Sequence, residues 1–320
     1  MTGWRSSLRT PWWTLNRAAG VALALCAGLG VAVQARINGA LAQRLGDGIA
    51  AATISFGTGL VLLLVGAFWM RPGLAKVRLA LRDGSLRAWQ CLGGACGAFL
   101  VATQGLTVPA LGVAVFTVAV VAGQSASSLA VDRLGLVPGG KRAVTVNRAL
   151  GAILCVVAVF IAVSGRLGDA RALGLALLPL LAGIGIAWQQ GVNGLVRQAA
   201  GSVWPATLIN FIVGTSALLP VLLIIVAVRG IPGSLPSDFW LYLGGPIGIT
   251  FIAIAAALVR HVGVLLLGLG TIAGQIIGAL IIDTFFPVAA RPGPATFVGA
   301  LIALAAVALA SRPPRTTSAS

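Results

Sequence analysis

Residues 27–46, AGLGVAVQARINGALAQRLG, return at 182–201 as AGIGIAWQQGVNGLVRQAAG, with 9 of 20 positions identical and no gap. At the same offset of 155 residues Phe56 aligns with Phe211 and Gly59 with Gly214. An offset of 151 then lays Leu92-Gly93-Gly94 over Leu243-Gly244-Gly245, Ala122-Gly123-Gln124 over Ala273-Gly274-Gln275, and Asp132 over Asp283. A repeat this long exceeds any solenoid unit, so the chain reads as two homologous bundles rather than an array.

Both copies are almost entirely apolar. Over 320 residues, 58% are hydrophobic and 9% charged, and the mean hydropathy is +1.03; ordinary soluble globules do not have this composition. A helix needs about 20 mostly apolar residues to cross the hydrocarbon. Ten such stretches fall at 18–38, 49–70, 88–107, 110–131, 144–164, 172–193, 205–228, 239–259, 262–283 and 292–311. Only Thr107, Val108 and Pro109 separate the third from the fourth. The sequence thus predicts an all-α integral membrane protein of ten transmembrane helices, five in each copy.

A formal charge of +16 would point to nucleic acid in a soluble protein, but here the placement of the charges matters more than their sum. With the N-terminus in the cytoplasm, 16 of the 22 Lys and Arg residues lie inside. The six outside are Arg36, Arg44, Arg166, Arg171, Arg229 and Arg291. The positive-inside rule therefore sets both termini in the cytoplasm and argues against a nucleic-acid partner. Residues 1–17, with Arg5, Arg9, Trp12, Trp13 and Arg17, read as a basic, aromatic interface anchor. Residues 18–164 and 172–311 are the two repeats, and 312–320 form a polar, disordered tail.

Five spans per copy make the second copy enter the membrane from the opposite side. Inverted repeats of this kind place a substrate site near the midplane of secondary transporters, where one half rocks against the other. Such a protein has a small-molecule substrate and the lipid bilayer as partners, and a second copy of the chain is a further candidate.

Gln34 and Asn38 are four residues apart, as are Gln189 and Asn193, so each pair shares one helix face. Amides in lipid must be satisfied internally or face a wet cavity. They read either as gating and cavity-lining groups or as interhelical hydrogen-bonding glue worth about 0.6 to 2 kcal/mol each, with Asn-Gly closing the helix end. Gln124 and Gln275 lie nearer mid-span and are the first candidates for substrate contact. The competing reading bonds them to each other where two helices cross. Gly123, Gly270, Gly274 and Gly278, with Gly93 and Gly97, read as helix-packing positions. Asp132 and Asp283 should reach opposite interfaces, on the order of 12 Å beyond the glutamines. Near a helix C-terminus each calls for a cation: Arg197 or Arg260 for Asp132, and Arg36 or Arg44 for Asp283, as an interface ion pair or gate lock.

Chemistry beyond binding finds few tools. The chain has no Glu, no HExxH and no GxSxG, and its one histidine, His261, falls in the loop between the eighth and ninth spans. No catalytic residue, metal site or cofactor is expected. Cys26, Cys91, Cys96 and Cys155 all fall inside spans and read as small apolar fillers. The rival readings are a membrane scaffold with a tightly packed centre and, further off, a lipid-modifying enzyme.

Two five-helix halves, each opening with G-x-x-x-Q-x-x-x-N-G and later showing A-G-Q followed by Asp, resemble the bacterial drug/metabolite transporter superfamily, and within it the YdcZ-like branch. The matching residues are Gly30, Gln34, Asn38, Gly39, Ala122, Gly123, Gln124 and Asp132, with Gly185, Gln189, Asn193, Gly194, Ala273, Gly274, Gln275 and Asp283. The resemblance implies a bacterial inner-membrane transporter of small metabolites or drugs working by alternating access. The small four-helix multidrug members carry a glutamate in their first helix, where this chain has Gln34 and Gln189. Neutral hydrogen-bonding groups there point to a neutral or zwitterionic polar solute.

Overall fold

The computed structural model describes residues 17–136, 140–141, 143–164, 170–287, 289 and 291–312. The segment before residue 17, residues 165–169 and the tail from 313 lie outside them, as do the side chains of Arg171, Arg260 and His261. The first half supplies α1 (Arg17–Leu45), α2 (Gly48–Val65), α3 (Ala67–Arg82), α4 (Gly93–Leu111), α5 (Val113–Leu134) and α6 (Val146–Val163). The second supplies α7 (Ala170–Ala200), α8 (Val203–Arg229), α9 (Gly244–Phe285) and α10 (Pro294–Ala310). Among the described residues, 8 helices are long and apolar enough to cross a membrane, and Gly244–Ile254 and Pro294–Ala310 are shorter apolar helices.

Local chemistry sets the helix ends. Asp47 caps α2, its carboxylate accepting the Ala50 N–H at 2.7 Å, and Ser202, its counterpart in the duplication, caps α8. α5 ends on Gly135 at φ +72°, where the N–H groups of Gly135 and Leu136 bond back to the carbonyls of Asp132 and Val131.

Three boundaries differ from the sequence reading. The second span stops at Val65, and Gly66 turns the chain into α3, whose Val77 and Ala80 pack on Val196, Ala200 and Ala206. The break between the third and fourth spans falls at Gly112, φ +84°, while Pro109 stays inside α4. Between the eighth and ninth spans the backbone stays helical, as α9, where the sequence predicts a loop at residue 261. Its ends nevertheless meet the same stretch of α1: Gln34 Nε2 donates to Gly244 O at 2.9 Å and Arg36 Nε to Phe286 O at 3.0 Å. A straight helix of 42 residues would hold those ends about 60 Å apart. α9 therefore doubles back, and its two arms form a hairpin like that of α4 and α5.

The first helix of each half lies against the hairpin of the other. Gly28 abuts Thr271 as Gly183 abuts Val120, and Gly274 abuts Leu25 as Gly123 abuts Leu180. Gly248 faces Gln34 as Gly97 faces Gln189, and Gly244 faces Asn38 as Gly93 faces Asn193. At the centre Gly59 meets Phe211 and Gly214 meets Phe56, with the two rings 5.0 Å apart. Contacts that come in exchanged pairs are the mark of a two-fold relation. Across it α2 and α8 run antiparallel. So do α6 and α10, where Gly151 meets Ala306 and Ala310 while Gly299 meets Ala158 and Ala162.

A side chain at Gly274 would collide with the Leu25 carbonyl. Gly274→Val should cost about 1–3 kcal/mol, read as an earlier thermal unfolding transition in detergent. Gly57→Ala, where nothing lies within 4 Å, should leave the transition unchanged or raise it.

Candidate functional site

A cavity of about 630 Å³ opens between α5, α6, α7, α9 and α10. Gln124, Ser128 and Asp132, spaced four residues apart on α5, share one helix face and descend its wall. Ser125, Gln190 from α7, Thr145 and Arg148 at the start of α6, and Ser311 and Arg312 after α10 add to the polar lining. Gln124 Nε2 donates to Gln190 Oε1 at 3.1 Å. The glutamine of α5 therefore bonds across to the other half of the chain, but to a residue of α7 rather than to Gln275.

Asp132 pairs with Arg148, whose guanidinium donates to Asp132 Oδ2. Of the two expected partners, Arg197 is not used. The glycine turn at Gly135 and the Thr145 cap of α6 bring the first turn of α6 beside the last turn of α5, whereas Arg197 is exposed on α7 and the Arg260 side chain lies outside the described residues.

Asp283 takes a different partner, the N-terminus of α5. Its Oδ1 accepts the Val113 N–H at 3.0 Å and its Oδ2 the Ala114 N–H at 2.7 Å. A carboxylate is favoured there by the free N–H groups and the helix dipole. Arg36 adds an electrostatic contribution, while Arg44 pairs with Asp238 at 3.7 Å. Gly112 makes room for this cap, since a Cβ at that position would lie 2.7 Å from Asp283 Oδ2. Asp283 and Asp132 thus stand at opposite ends of α5, roughly 28 Å apart along its axis.

The amides of the first helices sit elsewhere. Asn38 Nδ2 donates to Gln104 Oε1 at 2.6 Å, both buried, and Gln189 and Asn193 lie over Gly97 and Gly93. None of Gln34, Asn38, Gln189 and Asn193 lines either of the two described cavities. Asn38-Gly39 and Asn193-Gly194 do not close their helices, because α1 runs on to Leu45 and α7 to Ala200; Gly39 instead packs on Val108. Asn38 Oδ1, Gln189 Oε1 and Asn210 Oδ1 are buried without a hydrogen-bond partner. Gln275 is half-buried and lies outside the cavity, its backbone against Gly28.

Ser125, Ser128, Arg148 and Gln190 were not among the residues the sequence singled out. A signal for them exists. At the repeat offsets their counterparts are Ile276, Ala279, Gly299 and Ala35, so each is a polar residue present in one copy only. The equivalent face of the second copy is packed shut: Gly278 meets Leu29 and Ala32, and Gly299 meets Ala158 and Ala162.

The family model described as "Putative inner membrane exporter, YdcZ" matches residues 19–161 and again residues 174–309. The chain belongs to the YdcZ family of the drug/metabolite transporters. Neither a curated protein nor a solved structure matches it. As a YdcZ-family protein it is a multi-pass protein of the inner membrane, and the family supports a membrane transporter with a small-molecule substrate. Gln124, Asp132, Arg148 and Gln190 all lie inside the two matched segments.

Arg148→Met leaves the Asp132 carboxylate without its donor and should cost about 2 kcal/mol in stability. Adding Asp132→Leu should recover part of that loss. Thermal unfolding of the three variants reads the coupling, and a double variant as unstable as the summed singles would mean that the two side chains act independently.

Proposed function

We propose that the chain is a ten-span transporter whose two five-helix repeats, residues 18–164 and 172–311, lie inverted in the membrane and alternately expose a site at Gln124 to either side. The observation that carries this reading is the polar cavity around Gln124, open at one end while its counterpart around Gln275 is packed. The antiparallel pairing of α2 with α8 and of α6 with α10 supports inversion, because a two-fold axis perpendicular to spanning helices lies in the membrane plane.

The open end gathers Arg71, Lys76, Arg78, Arg82, Arg87, Arg133, Lys141, Arg148, Arg197 and Arg312, against Arg36, Arg44, Arg229 and Arg291 at the other. The positive-inside rule makes the open end, and with it both termini, cytoplasmic. Side-chain amides and hydroxyls, with a charge pair already neutralised at Asp132 and Arg148, suit a small neutral or zwitterionic polar solute. Gln275 is the second midplane contact proposed for the solute. Gln34, Asn38, Gln189 and Asn193 steady or gate the crossings of the first helices, Asp132 and Asp283 lock the two ends, and Gly93, Gly97, Gly123, Gly270, Gly274 and Gly278 let the helices slide. A scaffold would have no use for the cavity.

Uptake of a panel of polar solutes into liposomes tests this. For the transported solute, Gln124→Ala should raise the half-saturating concentration about fivefold, the loss of one neutral hydrogen bond; unchanged kinetics in both Gln124→Ala and Gln275→Ala would remove the glutamines from the site. In a cysteine-free background, Ser128→Cys should react with a membrane-impermeant maleimide from the cytoplasmic side. Labelling only from the outside would overturn the orientation.

A further inference from the structure

A second cavity, of about 670 Å³, lies where α3 meets the turn between α7 and α8 and the first arm of α9. Most of its wall is apolar, with Leu62, Trp69, Met70, Pro205 and Ile249, and Lys76 stands at its edge. Trp69 is 77% exposed, so the cavity opens on the outer surface of the bundle, away from Gln124. Lys76 leans over the α7–α8 turn, its Nζ 3.5 Å from where a Cβ on Gly201 would lie. Among the described residues the two ion pairs are Arg44–Asp238 and Arg148–Asp132, so Lys76 has no carboxylate within 4 Å, nor do Arg71, Arg78 and Arg82 on the same short helix.

A helix too polar to span, with Phe68, Trp69, Leu79 and Leu81 exposed beside unneutralised cations, has the composition of a segment lying at the membrane interface. An apolar cavity with a free ammonium at its rim complements a molecule with a hydrocarbon chain and a phosphate. We propose that this cavity holds one anionic phospholipid, its phosphate on Lys76 and an acyl chain along Leu62, Trp69 and Ile249. The wall comes from both halves of the chain, so the lipid braces α2 and α3 against α8 and α9. The second half has no equivalent site, because residues 230–238 are irregular where the first half forms α3. The inference rests on membrane insertion alone and is independent of any transported solute.

Native mass spectrometry of the detergent-purified protein, with phosphatidylglycerol or phosphatidylcholine added, tests the site. One phosphatidylglycerol should be retained per chain in preference to phosphatidylcholine. Lys76→Gln should weaken retention about fivefold, the contribution of one cation near an anionic surface, while Arg229→Gln, at the far end of α8, should leave it unchanged. Equal retention of the two lipids, full retention by Lys76→Gln, or an equal loss in Arg229→Gln would each overturn the proposal. So would a thermal stabilisation by inorganic phosphate as large as that by phosphatidylglycerol, which would assign the site to a free anion.

Discussion

Two helices in lipid gain nothing by hiding apolar surface from water, so how tightly they associate depends on how closely their backbones approach. In this chain that approach is made by glycine. Gly28, Gly94, Gly123, Gly183, Gly245 and Gly274 each touch a backbone atom of another helix, where a Cβ would collide. All six of these contacts join one half to the other. The first helix of each half is therefore held by the opposite hairpin more than by its own neighbours, and the halves interleave instead of forming two bundles side by side. Their exchanged contacts follow from the duplication itself, since a surface that fits its own copy produces the same contact twice.

Against that near-symmetric frame, the polar chemistry is lopsided. Gln124 and Gln275 occupy equivalent positions, yet only Gln124 has Ser125, Ser128, Gln190 and Arg148 around it; the counterparts are Ile276, Ala279, Ala35 and Gly299. The carboxylates diverge in the same way. Asp132 is neutralised by a side chain at the cavity, and Asp283 by backbone N–H groups at a closed helix junction. The duplication thus supplies a scaffold, and polar residues present in only one copy line its cavity.

Much of the scaffold is readable from residue order. The repeat offsets, the apolar runs and the glycines of α4, α5 and α9 all stand out because few residue types are tolerated at tight crossings in lipid. Other features follow rules that hydropathy does not express. α3 looks like a loop because Arg71, Lys76, Arg78 and Arg82 punctuate it, although Val77 and Ala80 still give it a face to bury. The hairpin break falls at Gly112 and not at the Thr107-Val108-Pro109 stretch, because only a residue tolerant of positive φ lets Asp283 reach the first N–H groups of α5. The choice of Arg148 over Arg197 is geometric, set by the turn at Gly135. The cavity lining hides in the differences between the copies, while a search for repeats attends to what they share.

The interleaving also bears on how the molecule is made. α1 leaves the ribosome long before Thr271, Gly274 and Gly278, which receive it. Until the second hairpin inserts, the glycine-lined flank of α1 has only lipid, or an insertase, to hold it. Final assembly must therefore wait for the second hairpin, and a product truncated before it would carry a bare flank for membrane quality control to recognise.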